Sequence, residues 1–238
     1  MDLKEEEILG DQVHSHWYYR AKAAALLRDL SGFQPREILD IGAGSGYFSK
    51  ILLQQTSAAQ AFCVDIGYAQ ERDELWCGKP ILFRRAIAES DANLVLAMDV
   101  IEHAADDIAL LRPYVDLVRP GTRFIVTVPA FNFLWSGHDV FLGHHRRYAL
   151  RGLERTLRRC GLVVESGHYY YGALFPVAAA LRLLERLGPR SSEAPRSQLH
   201  RHGELMNAAL AAVCAAERPL MRANRLFGLT AFACCHKP

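Results

Sequence analysis

The sequence predicts an α/β domain built on a largely parallel sheet, and three observations carry that expectation. Short apolar runs of strand length alternate with longer segments whose apolar residues recur at three- and four-residue steps. The run Leu94-Val95-Leu96-Ala97-Met98 is continuously apolar, as in a strand buried on both faces. Three aspartates, Asp40, Asp65 and Asp99, fall at the carboxyl ends of expected strands, the edge where such sheets hold their ligands.

Taken in order, a helix is expected over 14–30, with Ala23, Leu26, Leu27 and Leu30 at helical spacing. Strand one covers 37–41 and its helix 47–55. Strand two covers 59–66 and a short third strand 82–84. The continuous apolar run makes strand four, 93–99, and a helix follows over 107–117. Pro120-Gly121 turns the chain into strand five, 123–128. A helix over 150–160 stops at Gly161, a good residue just past a helix end. Its arginines alternate with Leu150, Leu153 and Leu157, which describes an amphipathic helix with a solvated face. Strand six opens over 162–165. An Ala/Leu-rich helix to 187, a linker over 188–203, a second Ala-rich helix over 205–222 and a last strand over 229–235 complete the chain.

Composition fits a single domain over 1–238: half of the residues are hydrophobic, ample for a sizeable core. A net charge of +2 gives no general argument for a nucleic-acid partner, and none is expected. Six cysteines without a Cys-x-x-Cys pair exclude a zinc knuckle, and Cys63 and Cys160 read as small core residues of a reducing compartment. The acidic start, Met1 to Glu7, lacks the apolar stretch of a signal peptide. No apolar run reaches the roughly 18 residues that a membrane span needs. The expected location is cytoplasmic, at most peripheral to the inner face of a membrane.

The loop after strand one carries the strongest chemical signal. Asp40 is followed by Gly42, Gly44 and Gly46, then by a helical pattern. Alternate glycines let the backbone turn sharply and lie close to a ligand, and the helix aims its amide-rich end into that turn. A dinucleotide fingerprint would place its third glycine at position 47, which is Tyr47. Asp40 would also repel a pyrophosphate but suits a ligand with a cationic amine and no phosphate, such as S-adenosylmethionine (SAM). A dinucleotide site and a glycine turn without a ligand are the alternatives. Asp65 lies about 20 residues beyond, where an acid can accept both ribose hydroxyls, or be no more than a solvated strand end. Met98 and Asp99, opening the segment Asp99-Val100-Ile101-Glu102-His103, face the cofactor's methionine or the substrate. The other reading of that segment is a helix-capping cluster.

Together, Asp40-x-Gly42-x-Gly44-x-Gly46, Asp65 and Asp99-Val100-Ile101-Glu102-His103 resemble the class I SAM-dependent methyltransferases, nearest to the ubiquinone-type and small-molecule group. The resemblance is firm over 37–128 and holds in outline beyond. It implies a Rossmann-like, seven-stranded, mostly parallel sheet flanked by helices, with the last two strands paired as a hairpin. The helices within 173–225 then form an insertion before the last strand, placed to roof the substrate, pair in a homodimer, lie on a membrane or pack on the core. The resemblance also places Asp40, Gly42, Ala43 and Gly44 at the methionine end, Asp65 at the ribose and Ile66 against the adenine. It makes the 14–30 helix, with His16-Trp17-Tyr18-Tyr19-Arg20, a lid on the cofactor. Where the family often carries an acid beside the adenine amine, this chain has Ala86-Ile87-Ala88.

The stretch from Pro129 to Tyr148 is dense in His, Asp and aromatic residues at the catalytic rim. Methyl transfer to a hydroxyl needs its proton removed, and His suits that task. His138 with Asp139, or His144, is the candidate base. Trp135, Asp139, Arg147 and Tyr148 are the candidate acceptor contacts, Arg146-Arg147-Tyr148 either clamping an acidic substrate or organising the loop. A His/Asp metal site is the lesser alternative for this loop, and none is expected, since an oxygen-rich cage is not evident. The function expected is SAM-dependent methylation, at oxygen, of a small or lipid-like acceptor such as a hydroxylated aromatic, quinone precursor or polyketide-like acid. The alternatives are a SAM-binding module without catalysis and an NAD-dependent oxidoreductase.

Overall fold

The computed structural model describes residues 10–187 and 203–238. The acidic start at 1–7 and all but the last residue of the 188–203 linker lie outside the described residues. After a 3-10 turn, Gly10–His14, the elements are α1 (Trp17–Asp29), β1 (Glu37–Ile41), α2 (Tyr47–Gln55), β2 (Gln60–Val64), β3 (Arg72–Trp76) and β4 (Lys79–Arg84). They continue with β5 (Leu94–Met98), α3 (Asp107–Leu117), β6 (Arg123–Pro129), α4 (Gly137–Leu142), α5 (Leu150–Arg159), β7 (Val163–Tyr170), α6 (Phe175–Leu187), α7 (Glu204–Glu217) and β8 (Thr230–His236).

The strands form one sheet in the order β3-β4-β2-β1-β5-β6-β8-β7. Strands β4, β2, β1, β5 and β6 are parallel. β8 inserts antiparallel between β6 and β7, so the last two strands pair as a hairpin with α6 and α7 between them in sequence. One apolar layer, with Ile38, Leu52, Phe83, Leu96 and Phe232, lies under α1 and α2. The other, with Leu39, Val95, Leu111, Phe124 and Leu153, lies under α3 and α5. Every residue of β5 is buried, as its unbroken apolar run demands.

The sheet has eight strands where seven were expected. The extra one is β3, which pairs antiparallel with β4 through Trp76↔Lys79. The two residues between them, Cys77 and Gly78, have φ of 51° and 75°. Positive φ at both positions is the geometry of a tight two-residue hairpin. A hairpin therefore stands where a helix would lead into the third strand, and β4 begins three residues earlier than expected. Among the described residues no helix is long and apolar enough to cross a membrane.

Candidate active site

Two adjoining cavities open at the carboxyl ends of the parallel strands, and Asp99 and His103 line both. The first, about 300 Å³, is bounded by Gly42, Asp65, Ile66, Val100, Leu110 and Tyr114. Gly42 has a φ of 61°, and a Cβ there would stand 2.7 Å from Cγ2 of Val100. Any side chain would therefore strain the backbone and push Val100 into the cavity. The Asp65 carboxylate folds the loop around itself, accepting from Gly67 N at 2.8 Å and from Gly44 N at 3.1 Å. Tyr68 OH donates to Gly44 O at 2.6 Å and closes the loop from behind. Ile66 is 84% exposed at the cavity edge, where a flat apolar ligand group would cover it.

These residues fit SAM. Asp65 retains acceptor capacity for ribose hydroxyls, because an ionised carboxylate offers about four lone-pair sites and two are engaged. Ile66, Leu110 and Tyr114 frame a slot for a planar ring. Other predicted contacts stand back from the cavity. Asp40 is buried and accepts from Ser49 Oγ at 2.8 Å, with burial raising its pKa to about 6. Ala43 packs in the core, and Met98 is buried with its sulfur 4.0 Å from Thr127 Oγ1. Gly44 contributes through its loop backbone.

Asp99 joins the two cavities. It adopts a φ of 57°, which turns its carboxylate back toward α1. There it pairs with Lys22, whose side chain is wholly buried, and accepts from Thr127 Oγ1 at 3.0 Å. Lys22 Nζ also donates to Tyr18 OH at 3.2 Å. Burial alone would lower the Lys22 pKa, but the adjacent carboxylate outweighs it and holds the ammonium charged. In the same way, burial disfavours the Asp99 charge and Lys22 more than restores it. Glu102, three residues on, has no such partner among the described residues. Burial and the Asp99 charge push its pKa well up.

The second cavity, about 240 Å³, lies between α1 and the 129–148 segment. Trp17 and Tyr18 line it from α1, Leu134, His138, Leu142, His144 and Arg147 from the segment, and Ala178 and Arg182 from α6. The segment is folded by its own polar groups. Ser136 and Asp139 form a reciprocal cap on α4, and Gly143, at φ 76°, ends the helix and reverses the chain. That reversal brings His144 Nδ1 to 3.0 Å from Asp139 Oδ1, and Arg147 Nε donates to the same oxygen at 2.6 Å. Burial opposes ionisation of Asp139, but the bonds from His144 and Arg147 hold its carboxyl well below the usual range. Burial lowers the His138 pKa to about 4 and keeps that ring neutral at pH 7.

Three further predicted contacts sit outside this lining. Asp139 is fully buried behind His144 and Arg147. Tyr148 is buried and donates to Asp107 Oδ2 at 2.8 Å, and Trp135 is half-buried away from the cavity. Arg146 binds the Ala104 and Ala105 carbonyls and so organises the loop. The sequence reading missed Lys22, which looks like a solvated lysine on an amphipathic helix, and gave Glu102 and His103 no role. It also missed Leu110 and Tyr114, one turn apart on α3.

A parallel sheet with a glycine loop after β1, an acid after β2 and paired cavities at its carboxyl edge defines a nucleotide-cofactor enzyme of the SAM type. The model of a methyltransferase-domain family matches residues 15–166, and the chain belongs to that family as a class I SAM-dependent methyltransferase. SAM is its cofactor. It is similar to an uncharacterized methyltransferase of Mycobacterium bovis, 27% identical over 184 residues that cover 68% of this chain and 69% of the relative. A Mycobacterium leprae relative with the same description is 27% identical over 195 residues, 73% of this chain and 69% of its own. Among solved structures, the fold resembles a complex of the Haloferax volcanii Trm112 methyltransferase activator with a methyltransferase, at 18% identity and a TM-score of 0.58, covering 99% of this chain and 92% of that one. It also resembles Haemonchus contortus phosphoethanolamine N-methyltransferase 2 bound to SAM, at 15% identity and a TM-score of 0.55, covering 98% and 56%.

Proposed function

We propose that this enzyme methylates a hydroxyl oxygen of a small, lipophilic, hydroxylated acceptor seated in the second cavity. The observation that carries this reading is the Asp139–His144 pair opening onto that cavity beside the Asp99 end of the cofactor pocket. SAM supplies an electrophilic methyl group on a cationic sulfonium. The chain has to seat the acceptor, exclude water and take up the hydroxyl proton.

Trp17 and Tyr18 give the cavity an aromatic wall suited to a ring or polyketide-like skeleton. Arg147 and Arg182 line the cavity with guanidinium groups, each already paired, Arg147 with Asp139 and Arg182 with Glu185, so they offer an acceptor hydrogen-bond donors more than net charge. Asp139 holds the His144 ring by Nδ1 and leaves Nε2 for the cavity side. His138 is a second imidazole on the cavity wall, though burial lowers its basicity. In this reading α1 acts as a lid, and within the 173–225 insertion α6 roofs the acceptor while α7 braces α1. Asn207 of α7 supports the bracing role: it accepts from Trp17 N at 2.8 Å and donates to Ser15 O at 2.9 Å. Val177, Leu181 and Leu184 of α6 are exposed, which supports a roof that meets a membrane face or a second copy when a lipophilic acceptor is delivered.

The test is transfer of labelled methyl from SAM across matched hydroxyl and amine acceptors, with the product linkage read by NMR. O-methyl products are expected, and His144→Ala and His138→Ala should each lose about 10²–10⁴-fold in turnover where the ring takes the proton. Exclusive N- or C-methylation, or full turnover in both variants, would overturn the reading.

A further inference from the structure

Where α1 and the 129–148 segment meet the end of β5, three side chains converge that the proton-transfer scheme does not fully use. One side-chain ligand atom from each of Glu102, His103 and His144 lies within 4.8 Å of the other two. The His103 and His144 rings stand edge to face, with centroids 4.6 Å apart at 86°. Glu102 is wholly buried in the cavity wall, and neither carboxylate oxygen meets a hydrogen-bond donor of another described residue. A buried carboxylate left without a partner is costly, and proteins resolve that cost by pairing or by metal coordination.

We propose that Glu102, His103 and His144 form a site for a first-row divalent cation of the zinc class on the wall of the acceptor cavity. The donor set is two imidazoles and one carboxylate, which suits zinc, iron(II) or cobalt(II) and not magnesium, whose sites are built from oxygen. Ligands 2.0–2.1 Å from a tetrahedral cation lie about 3.4 Å from one another, so modest rotation of the half-buried His103 ring toward the nearly buried His144 ring closes the site. His144 carries the outer support such sites use: its Nδ1 meets Asp139, which fixes the tautomer and leaves Nε2 to ligate. Asp139 is itself held by Arg147 and by Ser136 N at 2.8 Å. The loop is tied to the third ligand through its backbone, since His145 N donates to Glu102 O at 2.8 Å. Three protein ligands leave a position open toward the cavity, as in catalytic zinc sites.

This inference rests on the reading of that cavity as the acceptor site and deepens it. A hydroxyl oxygen entering the open position becomes more acidic, which lets even a weakly basic ring such as His138 on the same wall take its proton. His144 then acts through the cation, and the acceptor is selected for a hydroxyl able to coordinate.

The experiment uses the full chain, stripped with a chelator and titrated with zinc(II) or cobalt(II) without any acceptor. Wild type should take up a single cation per chain, with the visible absorption of four- or five-coordinate cobalt, and magnesium should not compete. Glu102→Gln and His103→Ala should each weaken uptake about 10–100-fold or more and abolish the cobalt bands. SAM affinity, measured by calorimetry, should be unchanged in Glu102→Gln, and a cooperative urea transition like that of wild type shows that His103→Ala, whose ring also borders the cofactor cavity, is folded. Absence of stoichiometric uptake, or uptake that both variants retain, would overturn the site. The readout needs no methyl transfer, so a wrong acceptor leaves it intact, and a failed cation site leaves the linkage assay to judge O-methylation by itself.

Discussion

The cofactor pocket is built within residues 41–114, from the loops after β1, β2 and β5 and from α3, whereas the acceptor cavity joins segments from α1 to the start of β8. Gly42, Asp65 and Ile66 come from two successive β-to-loop junctions, and the bonds that shape them are largely backbone amides meeting one carboxylate. The acceptor side depends on long reaches: Lys22 to Asp99 across 77 residues, Trp17 to Asn207 across 190, and Arg186 to Phe133 across 53. The first region is a template that any ligand of the right class can use. The second is assembled by the fold, so its shape can change while the cofactor site stays fixed. Asp99, lining both cavities and paired with α1, is where the two regions are coupled.

Breaking that coupling should have the largest effect. Lys22→Met removes the only charge that balances Asp99 among its described contacts and leaves two acids, Asp99 and Glu102, facing each other. About 3 kcal/mol of stability should be lost, the lower end for a broken buried pair, because Asp99 keeps 26% of its side chain exposed. Urea unfolding measures this, and Lys22→Met/Asp99→Asn should recover part of the loss. A single variant as stable as wild type would show that the pair does not hold α1 to the sheet.

The next two substitutions separate the regions. Asp65→Ala should weaken SAM by about 1.5–3 kcal/mol, the cost of a charge-assisted bond and of the loop amides it orders. Its acceptor KM should hardly move. Ala178→Phe, on the α6 face that lines the second cavity, should do the reverse, costing about 1–3 kcal/mol of acceptor binding with SAM affinity intact. Calorimetry for SAM and steady-state kinetics for the acceptor decide both. If Ala178→Phe weakens SAM as much as the acceptor, the cavities are one site and the division fails.

The same contrast explains what could be read from the chain alone. The β1 loop was legible because its signal is local: glycines at alternate positions have few uses, and their backbone geometry travels with the sequence. The bounds of α2 and α3 came out as expected for the same reason, since apolar periodicity and caps such as Asp106 act within a turn. The β3–β4 hairpin was also local but its signal is a single Cys77-Gly78 step. Lys22 was illegible because its burial is decided by Asp99, and nothing near it in sequence reports that. In α6, Val177, Leu181 and Leu184 recur at three- and four-residue steps, a spacing that says nothing of what covers them. The fold turns Ala178 and Arg182 to the cavity and leaves those three exposed.

The smallest expected effect comes from a buried pair remote from both cavities, where α1 ends against β7. His168 Nε2 lies 3.5 Å from Asp29 Oδ2, and neither atom has a hydrogen-bond partner among the described residues. Burial lifts the Asp29 pKa to about 6 despite Arg222, and burial drops the His168 pKa to about 4. The two act on stability in opposite senses. Below pH 6 the native state takes a proton on Asp29 before the unfolded chain does, so Asp29 adds stability as pH falls from 6 toward 4. His168 stays neutral where the unfolded chain binds a proton, so it removes stability as pH falls from 6.5 toward 4. Asp29→Asn should therefore lose stability more steeply toward acid than wild type, and His168→Asn less steeply. Each divergence should be on the order of 1–2 kcal/mol at pH 4.5. Asp40 and His138 titrate over the same range but are present in all three proteins, so their contributions cancel in the comparison. Urea midpoints at pH 7 and 4.5 give the divergence directly. Parallel curves for wild type and Asp29→Asn would show that Asp29 ionises as an ordinary carboxyl, and that Arg222, not burial, sets its charge.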